Sequence, residues 1–165
     1  VQFILLLAEN LDKSLISDFL PLLPEEMIVL AEDHFEAMAA SDLVHSACGS
    51  ANMESALLDT PVVEFYRISP LTYFFGRRLA KIDNFSIVNI LAGKRIIPEL
   101  IQKDFSPKNI FLEAKKILES QEIKSEMIGQ FGKIKDMLGS KNASQNSAHE
   151  LQKLIFGDGP QSSAS

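Results

Sequence analysis

Hydrophobic and polar positions follow two regimes along the chain. From Val1 to Tyr66, short apolar runs alternate with amphipathic stretches. Phe3–Ala8 is a continuous apolar run and predicts a buried parallel strand. Asp12–Leu23 sets Leu15, Ile16, Phe19, Leu20 and Leu23 on one helical face, with a stop near Pro21–Pro24. Met27–Ala31 predicts a short strand. Asp33–Ala40 predicts a short helix, with Asp33 as cap and Glu36 at the third position. Leu43–Ala47 reads as a strand, Ala51–Leu58 as a helix and Val62–Tyr66 as a strand. This alternation with short links predicts an α/β fold, its parallel sheet covered on both faces.

The second half is helical in pattern. Pro70–Lys81 carries a stripe of Leu71, Phe74, Phe75, Leu79 and Ile82, with Arg77 and Lys81 on another face. Ser106-Pro107 is a helix start, a serine cap followed by proline at the first helical position, and the helix runs to about Glu119. Ile123–Leu138 and Ala143–Phe156 predict two further helices. Gly157 to Ser165 has no apolar period and predicts a disordered tail. The organisation expected is a binding domain over 1–120, helices over 121–156 and the tail over 157–165.

Charge changes this picture. The chain carries a net −6 over 165 residues. Arg67, Arg77, Arg78, Lys81, Lys94 and Arg95 face only Asp83 between positions 67 and 95, so that stretch is +5 and the remainder −11. A basic island in an acidic chain points to a local anionic partner, not to general nucleic-acid affinity. A single cysteine, Cys48, excludes an internal disulfide and fits a reducing compartment. The chain opens at Val1 inside an apolar run, which suggests a piece whose start is cut; that run is too short for a membrane span or a signal segment.

The candidate chemistry lies where the third predicted strand meets the helix after it. Cys48-Gly49-Ser50 is a small-residue turn directly before Ala51. Unpaired N–H groups of Ser50 and Ala51, with the positive end of the helix dipole, suit a diphosphate, and Gly49 allows close approach. Glu54 lies about 6 Å further along the axis at 1.5 Å per residue, where a ribose with two hydroxyl donors is its natural partner. The plainer reading makes Gly49 a simple turn and Glu54 a partner of the dipole. His34, His45 and His149 lack metal-ligand spacing, and no ordered base near Cys48 suggests a nucleophile.

The neighbouring motifs favour the nucleotide reading. CGSANMESALLDTPVVEFYRISPLTYFFGRRL, NILAG and PELIQ, in that order, resemble the lipid-A-disaccharide synthase family of GT-B glycosyltransferases. The family pattern is Ser-Gly-Thr-x-x-Leu-Glu, then Tyr-Arg-x-Ser-x-Leu-Thr-Tyr, Asn-Ile-Leu-Ala-Gly and Pro-Glu-Leu-x-Gln. The resemblance spans about Phe3 to Leu118. Gly49 and Glu54 match, while Cys48, Ser50 and Met53 stand where the family has Ser, Thr and Leu.

The resemblance implies a Rossmann-like C-terminal domain of GT-B type with added helices. It implies an inverting transfer from UDP-diacylglucosamine to diacylglucosamine 1-phosphate, giving the lipid A disaccharide and UDP, with no metal and no cofactor. Cys48, Gly49, Ser50, Ala51 and Glu54 would hold the donor, with Glu99 and Gln102 near it. Asn89 matches the family asparagine at the active cleft and is the catalytic candidate. The general base and a Gly-Ser-Arg phosphate motif belong to a preceding region, so an N-terminal domain is an implied partner. A homodimer and peripheral contact with an anionic inner membrane from the cytoplasm are further expectations. The Tyr73–Lys81 stretch, with its basic face, is a candidate for that contact or for the acceptor phosphate.

Two alternatives of other classes stand beside this. One is another GT-B enzyme using a UDP-sugar, such as a peptidoglycan N-acetylglucosaminyltransferase or a UDP-N-acetylglucosamine epimerase. The Tyr66-Arg67 and Asn89–Gly93 motifs argue against it. The other is a non-catalytic nucleotide-binding module on the same half-fold.

Overall fold

The computed structural model describes residues 1–8, 11–69, 84–139 and 143–156. The expected Pro70–Lys81 helix and the 157–165 tail lie outside the described residues. Among the described residues, five parallel strands form two sheets. Strand β1 (Ile4–Leu6) pairs with β2 (Ile28–Leu30). Strands β3 (Val44–Ala47), β4 (Val62–Tyr66) and β5 (Glu99–Ile101) form the second sheet in that order. The described α-helices are α1 (His34–Ala39), α2 (Ser50–Leu57), α3 (Ile87–Ala92), α4 (Pro107–Glu119), α5 (Gln121–Leu138) and α6 (Ala143–Phe156).

The α/β reading holds, with corrections. The expected single sheet is split: among the described residues β2 has no pairing with β3. Nor is β1–β2 covered on both faces, since Ile4, Ile28 and Val29 remain exposed. The expected Asp12–Leu23 helix is instead two 3-10 turns, Lys13–Leu15 and Leu20–Leu22. Pro21 has no N–H to bond back to Ser17, and the segment closes mainly through three-residue steps such as Leu15 N to Asp12 O and Leu22 N to Phe19 O. Its stripe does not reach the core: Leu15, Phe19 and Leu20 are exposed. Asp33 precedes α1 as expected but does not cap it. Its φ of 56° is left-handed, whereas a capping side chain needs extended backbone.

One core joins the second sheet to the helices. Val62 and Val63 of β4, Leu100 of β5, Ala56 of α2, Val88 of α3 and Ile117 of α4 pack together. Met127, Phe131 and Ile134 of α5 belong to the same cluster. The boundary expected at residue 120 therefore falls between two helices that share one core. Serine side chains start three helices: Ser86 accepts from Val88 N, Ser106 from Asn109 N and Ser120 from Ile123 N. Gly93 ends α3 at φ 66°, the left-handed closure that glycine takes without strain.

Candidate functional site

In a parallel sheet all strands end on one side, and ligands of open α/β sheets bind outside those carboxyl ends. Ala47 pairs with Phe65, Phe65 with Leu100, and Tyr66 with Ile101. The Cys48–Gly49 turn, Arg67 and Gln102 therefore follow the ends of adjacent strands and share one edge. Helix α2 starts there at Ser50, and no side chain caps it. Gly49 and Ser50 are exposed, and Cys48, Ala51 and Glu54 are partly buried.

The backbone at Gly49 does not require glycine. Its φ of −178° is ordinary extended backbone. An added Cβ would meet only Ala47 O, at 4.0 Å. The space a Cβ would take at Gly49 is open, next to the uncapped start of α2, and an uncapped helix start is where an anion binds.

The rest of the edge is tied by polar contacts. Gln102 Nε2 donates to Ile68 O at 3.0 Å, and its Oε1 accepts from Ile68 N at 3.3 Å, so it holds the segment after β4. Arg67 donates to Phe105 O at 3.0 Å and lies 5.2 Å from the Phe105 ring centre. Phe105 in turn stacks on Phe65 at 4.9 Å. Of the basic island, Arg77, Arg78 and Lys81 lie outside the described residues.

Asn89 and Glu99 form a buried brace instead of an open surface. Asn89 is fully buried. Its Nδ2 donates to Glu99 Oε1 at 2.7 Å and to Ile97 O at 3.0 Å. Its Oδ1 accepts from Ile96 N at 2.7 Å and from Ile97 N at 2.9 Å. That uses both donors and both acceptor sites of the amide. Glu99 opens strand β5. Its carboxylate accepts from Phe85 N and Ser86 N and lies 3.6 Å from Arg95. It thus fixes the approach to α3, and Cys48 Sγ donates to Phe85 O at 3.6 Å, tying that approach to the Gly49 turn. The structure brings Cys48, Gly49, Ser50, Ala51 and Glu54 together on α2 and its turn, while Asn89 and Glu99 act behind them.

The sequence reading missed Glu64 and Asn52. Glu64 is fully buried in β4, in register with Glu99, and both its oxygens lack a hydrogen-bond partner. Burial pushes its pKa up; the nearby Glu99 charge adds to this, and Cys48, Ser86 and Asn52 beside it oppose it. Burial also drives the Cys48 thiol up to about 12, helped by Glu64 and Glu99. Asn52 is fully buried, with its Oδ1 unpartnered. The available signal was a carboxylate inside an otherwise apolar strand, Val62–Tyr66, where a charge is rarely left unpaired. A cavity of about 520 Å³ between β5, α4 and α5 is lined by Ile97, Ile117 and Met127 together with Arg95, Glu99 and Glu113, and includes no residue of the Gly49 turn.

The chain matches the family model described as lipid-A-disaccharide synthetase over residues 1–156. It is 36% identical over 140 residues to the lipid-A-disaccharide synthase of Nitrosococcus oceani, covering 85% of this chain and 36% of the relative. It is 34% identical over 156 residues to that of Syntrophus aciditrophicus, covering 94% and 41%. The enzyme of the same name from Acinetobacter baylyi is 40% identical over 103 residues, 62% of this chain and 26% of the relative. The chain thus spans at most about two-fifths of the length of these curated relatives. On this match and these motifs, the chain belongs to the lipid-A-disaccharide synthetase family.

Proposed function

We propose that this chain is the donor-binding part of a lipid-A-disaccharide synthase. The enzyme transfers diacylglucosamine from its UDP carrier to diacylglucosamine 1-phosphate. The observation that carries this reading is the uncapped start of α2 beneath an unfilled Gly49, at the carboxyl edge of a parallel sheet. In the transfer, an acceptor hydroxyl attacks the anomeric carbon and the bond to the β-phosphate oxygen breaks. The hydroxyl proton leaves to a base outside this chain. Negative charge builds on the departing UDP, and the N–H groups of Ser50 and Ala51 with the α2 dipole stabilise it.

Glu54 accepts from the ribose hydroxyls one turn along α2. Asn89, Glu99 and Gln102 are positioning residues: the first two fix α3 beside the turn, and the third fixes the segment after β4. The acceptor, an opposing domain, a second copy and an anionic membrane surface are the partners of this reading. Among the described residues no helix is long and apolar enough to cross a membrane. Peripheral attachment on the cytoplasmic side is also part of the proposal. Calorimetric titration with UDP tests it. Glu54→Ala should weaken binding by about 1.5–3 kcal/mol, the range for a hydrogen bond to a charged group, and Glu54→Gln by less. If both variants bind like wild type, Glu54 is only a partner of the dipole.

A further inference from the structure

Two fully buried polar side chains behind the Gly49 turn have unused capacity. Both oxygens of Glu64 and the Oδ1 of Asn52 are unpartnered. Asn52 anchors the turn, since its Nδ2 donates to Ala47 O at 3.3 Å. Ser46, Glu64 and Glu99 form one row across β3, β4 and β5, pointing to one face of the sheet. Among the described residues, the groups around the Glu64 carboxyl come from the Gly49 turn, α2, the start of α3 and β5. They are the Cys48 thiol of the turn, Asn52 of α2, Ser86 at the start of α3, and Glu99 of β5 with Arg95 at its far oxygen. No cation faces Glu64 directly among these groups. Among the described residues, the guanidinium of the exposed Arg95 reaches Glu99 instead.

Two carboxylates directly opposite each other on one sheet face repel. Glu99 is the one supplied with donors, from Phe85, Ser86 and Asn89. Neither Glu64 oxygen accepts a hydrogen bond, and the Cys48, Ser86 and Asn52 groups beside it only partly offset its burial, so the row is relieved when Glu64 holds a proton. A neutral Glu64 leaves the field over the α2 N-terminus positive. An ionised Glu64 places a negative charge behind the position of the bound anion, in a poorly screened interior.

We infer that Glu64 is a positioning residue whose protonation makes the Gly49 turn receptive to an anion, and that its ionisation weakens nucleotide binding there. This rests on the nucleotide-site reading above. The direction follows from burial: the acid holds its proton beyond the ordinary carboxylate range and loses it as pH rises. The folded state then binds more protons than the unfolded one. The stability tied to this proton is complete below the unfolded carboxyl's pKa and is lost as pH rises through the folded one.

The test measures UDP affinity by calorimetry at about pH 6 and about pH 9 for wild type and Glu64→Gln. The amide is isosteric with the neutral acid and cannot ionise. UDP's own titration is common to both proteins and cancels. Wild type should lose about tenfold more affinity than E64Q across this range. Equal losses in the two proteins overturn the inference while leaving the nucleotide site standing. Absence of UDP binding in wild type at both values overturns the site reading and this inference with it. Should E64Q fail to fold, wild type alone decides through the infrared carbonyl stretch of a protonated carboxylic acid. That band should persist above the pH at which exposed carboxylates have ionised and then vanish, in step with the fall in UDP affinity. Its absence, or its loss without change in affinity, overturns the inference.

Discussion

Asn89 donates from Nδ2 to Glu99 Oε1 at 2.7 Å, and this single contact ties helix α3 to strand β5. With the bonds from Phe85 and Ser86 to the same carboxylate, it fixes where α3 begins relative to the Gly49 turn. Asn89→Ala leaves Ile96 N, Ile97 N and the Glu99 carboxylate without their buried partner. The expected loss is about 2–4 kcal/mol in chemical denaturation, because buried groups left unsatisfied carry their full desolvation cost. Asn89→Asp should lose at least as much, since it sets a second carboxylate against Glu99. Retained stability with abolished transfer would instead put Asn89 at the reacting atoms.

Phe131 is fully buried and binds α5 to the sheet-bearing core. Phe131→Ala should cost about 3–5 kcal/mol and lower the melting temperature of the β3–β5 region and α5 together. Two separate unfolding transitions, with only the later one shifted, would show that α5 is not part of that core.

Cys48 is protonated and unreactive on this account. A thiol held up to about 12 by burial, with Glu64 and Glu99 close by, is almost all neutral at ordinary pH. Alkylation by iodoacetamide at about pH 8 should be at least about a hundredfold slower than for a free thiol, since the thiolate is the nucleophile. Reaction at the rate of a free thiol would mean that Cys48 is solvated and that the turn is not packed on Glu64.

Much of the sheet was legible because local pattern and tertiary context agree. Val62–Tyr66 is apolar on both sides of Glu64 and forms β4 at the bounds its pattern predicts. Ser106-Pro107 starts α4 because cap and proline chemistry are local. The Asp12–Leu23 segment failed because a periodic stripe does not overcome Pro21. Strand β5 was invisible: it is three residues long, begins with a glutamate, and exists only because β4 offers it an edge. For the site, the Gly49 turn was readable because phosphate chemistry is local to one helix start. The brace was not, since the partners of Asn89 lie up to ten residues away and converge only in the fold.

On the donor-binding proposal, Gly49 is kept bare for a ligand and not for the fold. Gly49→Ala separates the two, because an added Cβ meets nothing closer than Ala47 O at 4.0 Å and the backbone there suits any residue. The decisive measurement is UDP affinity of Gly49→Ala by calorimetry, alongside its unfolding free energy. The account predicts stability within about 1 kcal/mol of wild type, the scale of an altered helix cap, and at least about tenfold weaker UDP binding. A stable Gly49→Ala protein that binds UDP as tightly as wild type would contradict it.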